Sequence, residues 1–125
     1  MIITIPFKTP TINHLYWHRG NVKIMKTEAK KIREEIKMIV ISAMAHDYDL
    51  GKLREPKLKV NVEIHEDWLT KKGEVKRKDI LNREKFLIDS VFNALGIDDK
   101  YIFEHTMKKV QDEKEFAIIE IDNFI

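Results

Sequence analysis

The chain is predicted to fold as a single α+β domain spanning residues 1–125, a four-stranded mixed sheet with two main helices packed on it, in the order β-α-β-α-β-β. Three observations carry that prediction. Residues Leu58 to Glu66 alternate apolar and polar side chains with a period of two. Two longer segments, after Thr27 and after Asp79, repeat apolar residues at intervals of three and four. With 125 residues, 43% of them hydrophobic, the chain is long enough for one domain with a real core.

Ile2 to Phe7 is a short β-branched run, and Pro6 confines that strand to an edge or an end. Lys8 to Val22 reads as a loop punctuated by Pro, Thr, Asn and Gly. It carries Tyr16, Trp17, His18 and Arg19. Rings beside cations on a loop suit nucleic acid, because rings stack on bases and cations pair with phosphates; the same rings would equally cover a core edge. His14 and His18 stand four apart, but the Gly and Pro around them argue against a helix and so against a zinc site. Thr27 is expected at a helix N-cap, with Glu28 in the first turn. Ala29, Ile32, Ile36, Ile39, Val40, Ala43 and Met44 then mark the buried stripe of that helix, and Lys30, Arg33 and Lys37 share another side of it. His46 to Pro56 is a linker.

In the next strand Leu58, Val60, Val62 and Ile64 lie on one face, and Lys59, Asn61, Glu63 and His65 on the other. Asp67 to Lys78 is a long polar loop around Gly73, expected to be mobile. Ile80, Leu81, Leu87, Ile88, Val91, Phe92 and Leu95 give the second helix one buried face, and both helices are expected on one side of the sheet. Ile102 to Val110 and Phe116 to Ile121 read as a hairpin across Gln111 to Glu115. His105 shares a strand face with Phe103 and Met107, which reads as a packed histidine and not a ligand.

The formal net charge of +2 hides an uneven distribution. Eight Lys or Arg face three Glu between residues 1 and 40, and seven face three acids between 71 and 85; from Glu104 to Ile125 six acids outnumber three Lys. The alternative is a scattered, solvated surface, but such polarisation favours a basic face presented to a polyanion. The chain lacks an apolar run long enough to span a membrane, a signal-peptide pattern at its start, and any cysteine. Those three absences exclude disulfide and thiolate chemistry and fit a cytoplasmic protein.

The chemistry is expected between Lys71 and Tyr101. A basic run of Lys71, Lys72, Lys76, Arg77 and Lys78 leads to Asp79, then the second helix, then Asp98 and Asp99. Carboxylates at helix ends beside many cations suit a divalent metal held against phosphate. Glu84 falls on the otherwise apolar stripe, which is unusual unless it meets a cation or a metal; otherwise it sits at the stripe edge and reaches solvent. Lys85 is either a point cation for a charged transition state or an i,i+4 partner of Asp89. The helix from Asn82 to Leu95 spans roughly 20 Å at about 1.5 Å per residue. One ion needs Asp79 and Asp99 within about 5 Å. Either the flanking segments fold back along the helix, which is the favoured arrangement, or a two-fold partner supplies one acid.

With these residues in this order, the chain resembles the RusA family of Holliday junction resolvases. The matching segments are Pro10-Thr11-x-Asn13 with Tyr16 and His18-Arg19-Gly20, the Lys26-Thr27 start of the first helix, and above all Arg77-Lys78-Asp79-Ile80-Leu81-Asn82-x-x-Lys85. Ile88-Asp89-Ser90-Val91-Phe92-Asn93-Ala94-Leu95 and Asp98-Asp99 continue the third. The resemblance implies a homodimeric endonuclease, dependent on Mg²⁺ or Mn²⁺, that cuts two strands of a four-way DNA junction symmetrically in recombination and repair. By position Asp79, Lys85 and Asp99 would be catalytic, and Asp79 and Asp99 would hold the metal, with Asp98 and Glu84 as further candidate ligands. Tyr16, Trp17, Arg19, Lys71, Lys72, Lys76, Arg77 and Lys78 would contact DNA. The second acid of the family's Asp-x-Asp-Asn motif is Leu81 here, so the alternative is a branched-DNA binding protein with impaired catalysis.

Overall fold

The computed structural model describes residues 1–11, 16–46, 57–78 and 80–124. His14, Asn13, the linker segment 47–56 and Asp79 lie outside the described residues. The elements are β1 (Ile2–Ile5), β2 (Tyr16–Arg19), β3 (Val22–Met25), α1 (Thr27–His46), β4 (Leu58–Glu66), α2 (Ile80–Leu95), β5 (Ile102–Gln111) and β6 (Phe116–Asn123), with a 3₁₀ turn at Asp99–Tyr101 before β5. The α+β class and the mixed four-stranded sheet are as expected, with the main sheet ordered β1-β6-β4-β5.

The centre of that sheet is β4. Every second residue in it, Leu58, Val60, Val62, Ile64 and Glu66, is buried. It runs parallel to β5 and antiparallel to β6. The register aligns Ile3 with Ile119 and Ile119 with Val62, so one face of three strands is continuous core. The helices cover that face. Ala29, Ile36 and Val40 of α1 join Phe86, Leu87, Val91 and Phe92 of α2 in one cluster with the strand residues, and α1 packs on both α2 and β1.

Four expectations are corrected. β5 and β6 are not a hairpin: β4 lies between them, and the turn that joins them crosses the end of β4, where the Asp112 amide donates to the Glu66 carbonyl (3.0 Å). β4 buries a side chain at every second position while β5 is exposed along most of its length. The strand whose apolar residues all fall on one buried face takes an inner place, and β5, whose apolar residues fall on both faces, takes the edge. The Lys8 to Val22 stretch is not all loop, because β2 and β3 form a separate antiparallel ribbon closed at Gly20-Asn21. Gly20 has φ +62°, the left-handed conformation that a tight two-residue hairpin turn demands of its first residue. The cap of α1 lies one residue earlier than expected, since the Lys30 amide donates to the Lys26 carbonyl (3.0 Å). Arg33 also leaves the expected cationic row, its Nε reaching Ser90 Oγ at 3.5 Å.

Phe86 is 1% exposed at the centre of the cluster, whereas Met38 on α1 is 60% exposed. Phe86→Ala is expected to lower unfolding free energy in urea by about 3–5 kcal/mol. Met38→Ala should change it by no more than about 0.5 kcal/mol.

Candidate metal and DNA site

The site begins with a buried acid. Strand parity places Glu66 on the core face of β4, where its carboxylate is 2% exposed and accepts from Lys78 Nζ at 2.8 Å. The guanidinium of Arg83, on the first turns of α2, completes the ion pair and is itself 5% exposed. Beside them Trp68 is buried, its indole N–H donating to the Ile64 carbonyl (3.0 Å). The side chains of Lys109, Arg83 and Lys78 stand 4.8, 5.3 and 5.7 Å from its ring centroid. Lys109 Nζ also donates to the Lys78 carbonyl (2.9 Å). These contacts tie the chain that leads into α2 to the centre of the sheet.

The segment from Asp67 to Lys78 is accordingly better tied than expected. Leu69 and Val75 form an antiparallel bridge. The Thr70 amide donates to the Glu74 carbonyl (2.7 Å), and the Lys76 amide to the Trp68 carbonyl (2.9 Å). Gly73 turns the chain with φ +80°. Asp67 accepts from Gln111 (2.8 Å) and Lys76 (3.1 Å), which lower its pKa to about 2. Of the five cations in the run, Lys71, Lys72 and Arg77 are exposed, Lys76 pairs with Asp67 and Lys78 is committed to Glu66. Lys8 is pushed below its ordinary pKa first by burial and then by Lys78 and Arg83, a sign of crowded positive charge at this end of the sheet.

Further along α2, Leu81, Glu84, Lys85, Ile88 and Asp89 from successive turns line one wall of a cavity of about 530 Å³. Asp99, from the 3₁₀ turn, and Ile102 and His105 of β5 line the other. The segment after the helix therefore folds back along it, bringing Asp99 to the cavity that Leu81 and Lys85 also line. Asp98 instead caps the turn, its carboxylate accepting from the Lys100 amide (2.9 Å). Asp79 lies outside the described residues.

Glu84 does not reach solvent at the stripe edge: it is 6% exposed. Its carboxylate pairs with Nε2 of His105, which reaches across from β5. Burial pushes the Glu84 pKa up, His105 opposes that shift and Asp89 adds to it. His105 is thus not a packed core histidine. Its neighbours on that strand face, Phe103 and Met107, are 58% and 36% exposed because β5 is the sheet edge. Leu81 is also not in the buried stripe; it is 56% exposed, on the flank of a helix whose buried side runs through Arg83, Phe86, Leu87, Ser90 and Val91.

Two residues that matter here carried a signal in the sequence. The alternation of β4 extends to Glu66 and demands a buried cation for it, met by Arg83 and Lys78. An acid on the stripe of α2 demands a partner, met by His105. Among the described residues no three His, Asp or Glu side chains cluster closely enough to hold a metal ion. Glu84 and Asp99 are nevertheless oxygen donors on one cavity, and Mg²⁺ keeps several waters and accepts one or two carboxylates. The donor chemistry fits such an ion.

Two measurements test these environments. Arg83→Met strands Glu66 with one cation and should cost about 3–5 kcal/mol in chemical unfolding, most of it recovered in the Glu66→Leu/Arg83→Met double variant. For Glu84 the folded pKa lies above the unfolded one, so the folded state binds more protons and stability falls as pH rises from about 4.5 through the folded value. In metal-free buffer, the wild type should gain stability relative to Glu84→Gln as pH is lowered through that window.

The family described as Endodeoxyribonuclease RusA matches residues 6–122, nearly the whole chain. No curated protein matches it. No helix among the described residues is long and apolar enough to cross a membrane. The match takes in α2, the acidic turn and β5, which together line the cavity, and on that extent the chain belongs to the RusA endodeoxyribonuclease family.

Proposed function

We propose that the protein is a divalent-metal-dependent endonuclease that resolves four-way DNA junctions by paired, symmetric nicks. The observation that carries this reading is the cavity on which Asp99 and Lys85 meet, with Glu84 buried beside them. A divalent ion held there would supply Lewis acidity and charge neutralisation for phosphodiester hydrolysis. Asp99 and Glu84 would hold it, together with Asp79, and Glu84 would stand in for the acid that the family motif has where this chain has Leu81. His105 orients the Glu84 carboxylate, as a hydrogen-bonded neighbour orients a metal ligand. Lys85, exposed on the same wall, places an ammonium where a scissile phosphate would build charge.

The protein is proposed to act as a homodimer. β5 forms one wall of the cavity and is also an edge strand, with Phe103 58% exposed and Phe124 packed 6.0 Å from it, centroid to centroid. An edge strand carrying exposed rings is a surface for a second copy, and a two-fold axis there would pair two cavities for symmetric cutting. The second reading is a branched-DNA binding protein that does not cut. It draws on Leu81, which puts an apolar side chain on the cavity wall.

A synthetic four-way junction with Mg²⁺ or Mn²⁺, beside EDTA and an Asp79→Asn control, separates the two. Paired nicks that need metal and Asp79 support the enzyme; binding without nicks supports the second reading. Lys85→Ala and Asp99→Asn should each slow cutting by roughly a hundredfold or more. Full Mg²⁺-dependent cleavage by Glu84→Gln would remove Glu84 from the metal site. Phe103→Asp should yield a monomer in sedimentation velocity.

A further inference from the structure

The ribbon β2–β3 stands apart from the main sheet and presents a face that folding leaves uncovered. Trp17 is the register partner of Ile24, and Arg19 that of Val22, so these four side chains share one side of the ribbon. Trp17, Val22 and Ile24 are 62%, 58% and 41% exposed. Met25, on the alternate side, packs against the core and fixes which side faces outward. Lys26 Nζ stands 4.5 Å from the centroid of the Trp17 ring and steadies it. Residues 16–26 contain Arg19, Lys23 and Lys26 and not one Asp or Glu.

We propose that this face reads the branch itself: Trp17, backed by Ile24 and Val22, stacks on bases unstacked at the crossover of branched DNA, while Arg19 and Lys26 hold the adjoining phosphates. The inference rests on branched DNA being the substrate. Charge favours DNA over the other occupant of an apolar face, a second copy. A two-fold contact through this ribbon would set Arg19 and Lys26 of both copies against each other with no acid on the ribbon itself to offset them. A nucleic acid brings anions to the cations and aromatic faces to the indole. Within a continuous duplex the bases are stacked on one another and offer the indole no partner without an unstacking cost, whereas at a crossover that cost is largely met already. The ribbon therefore contributes preference for the junction over linear DNA.

The test compares wild type, Trp17→Ala and Trp17→Phe in binding to a four-way junction and to a linear duplex of the same sequence, in Ca²⁺ so that nothing is cut. Each junction carries 2-aminopurine at the branch point. Trp17→Ala should lose roughly ten- to a hundredfold in junction affinity and little on the duplex, and Trp17→Phe should keep most of the affinity. The 2-aminopurine signal should change with wild type and not with Trp17→Ala. Equal losses on junction and duplex would overturn the inference and make the ribbon a groove binder. An unchanged junction affinity would overturn it too. Loss of the dimer in Trp17→Ala by sedimentation velocity would assign the face to a second copy. If wild type itself shows no junction preference, the branched-DNA reading fails and the inference with it, an outcome visible before any variant is made. Trp17 is exposed, so an unchanged thermal melt serves as the check that the variants are folded.

Discussion

The buried carboxylate of Glu66 is the constraint on which the rest of the structure depends. It ends the central strand on the core side, where an unpaired charge would be expensive, and it is met by Arg83 from α2 and Lys78 from the chain leading into α2. That pair sets the rotation of α2 against β4. With Arg83 turned inward, Phe86, Leu87, Ser90 and Val91 follow into the core, while Lys85 is left exposed on the cavity wall and Leu81 at the flank. Trp68 fills the space beside the pair, under three cationic side chains. Removing one partner leaves the other charge buried, so the arrangement resists drift in either the helix or the strand.

Glu84 is the contrasting case. Glu66 is held by two permanent cations, but Glu84 faces a single imidazole, and burial raises its pKa. A carboxylate buried with so little positive charge is stabilised in its charged form by any cation that reaches it. The cavity around it mixes that acid with Asp99, Asp89 and Lys85, giving oxygen donors for an ion and an ammonium for a phosphate. Ahead of α2 the exposed Lys71, Lys72 and Arg77 supply positive charge that would draw a polyanion.

How much of this was legible in the sequence depended on whether a residue's fate is local. The period-two run of β4 and the period-three-and-four run of α2 are local patterns, and both elements appear where they were expected. The β2–β3 ribbon was missed because its turn signal, Gly20-Asn21, looks the same in a loop as in a hairpin, and four-residue strands carry too little alternation to decide. The placement of β5 and β6 on opposite sides of β4 was missed because strand order is settled by which strand buries more surface. Adjacency in the chain says nothing of that. The acids were half legible: the stripe of α2 singled out Glu84 without deciding between a partner and solvent, Glu66 was passed over although the alternation of β4 extends to it, and Arg83, Lys78 and His105 could be matched to them only once the strands and helix were assembled. Asp99 and Lys85 were expected together through the resemblance, and the fold-back after Leu95 is what brings them to one cavity.

The claim that Glu84 and Asp99 share one ion is the most exposed part of the mechanism, and paramagnetic NMR addresses it without any substrate. Substoichiometric Mn²⁺ added to ¹⁵N-labelled protein should broaden the amides of Glu84, Lys85, Asp99 and His105 first, and excess Mg²⁺ should restore them. Broadening confined to other acidic stretches, such as Asp112 to Glu115, with the amides of Glu84 and Asp99 unaffected, would contradict it.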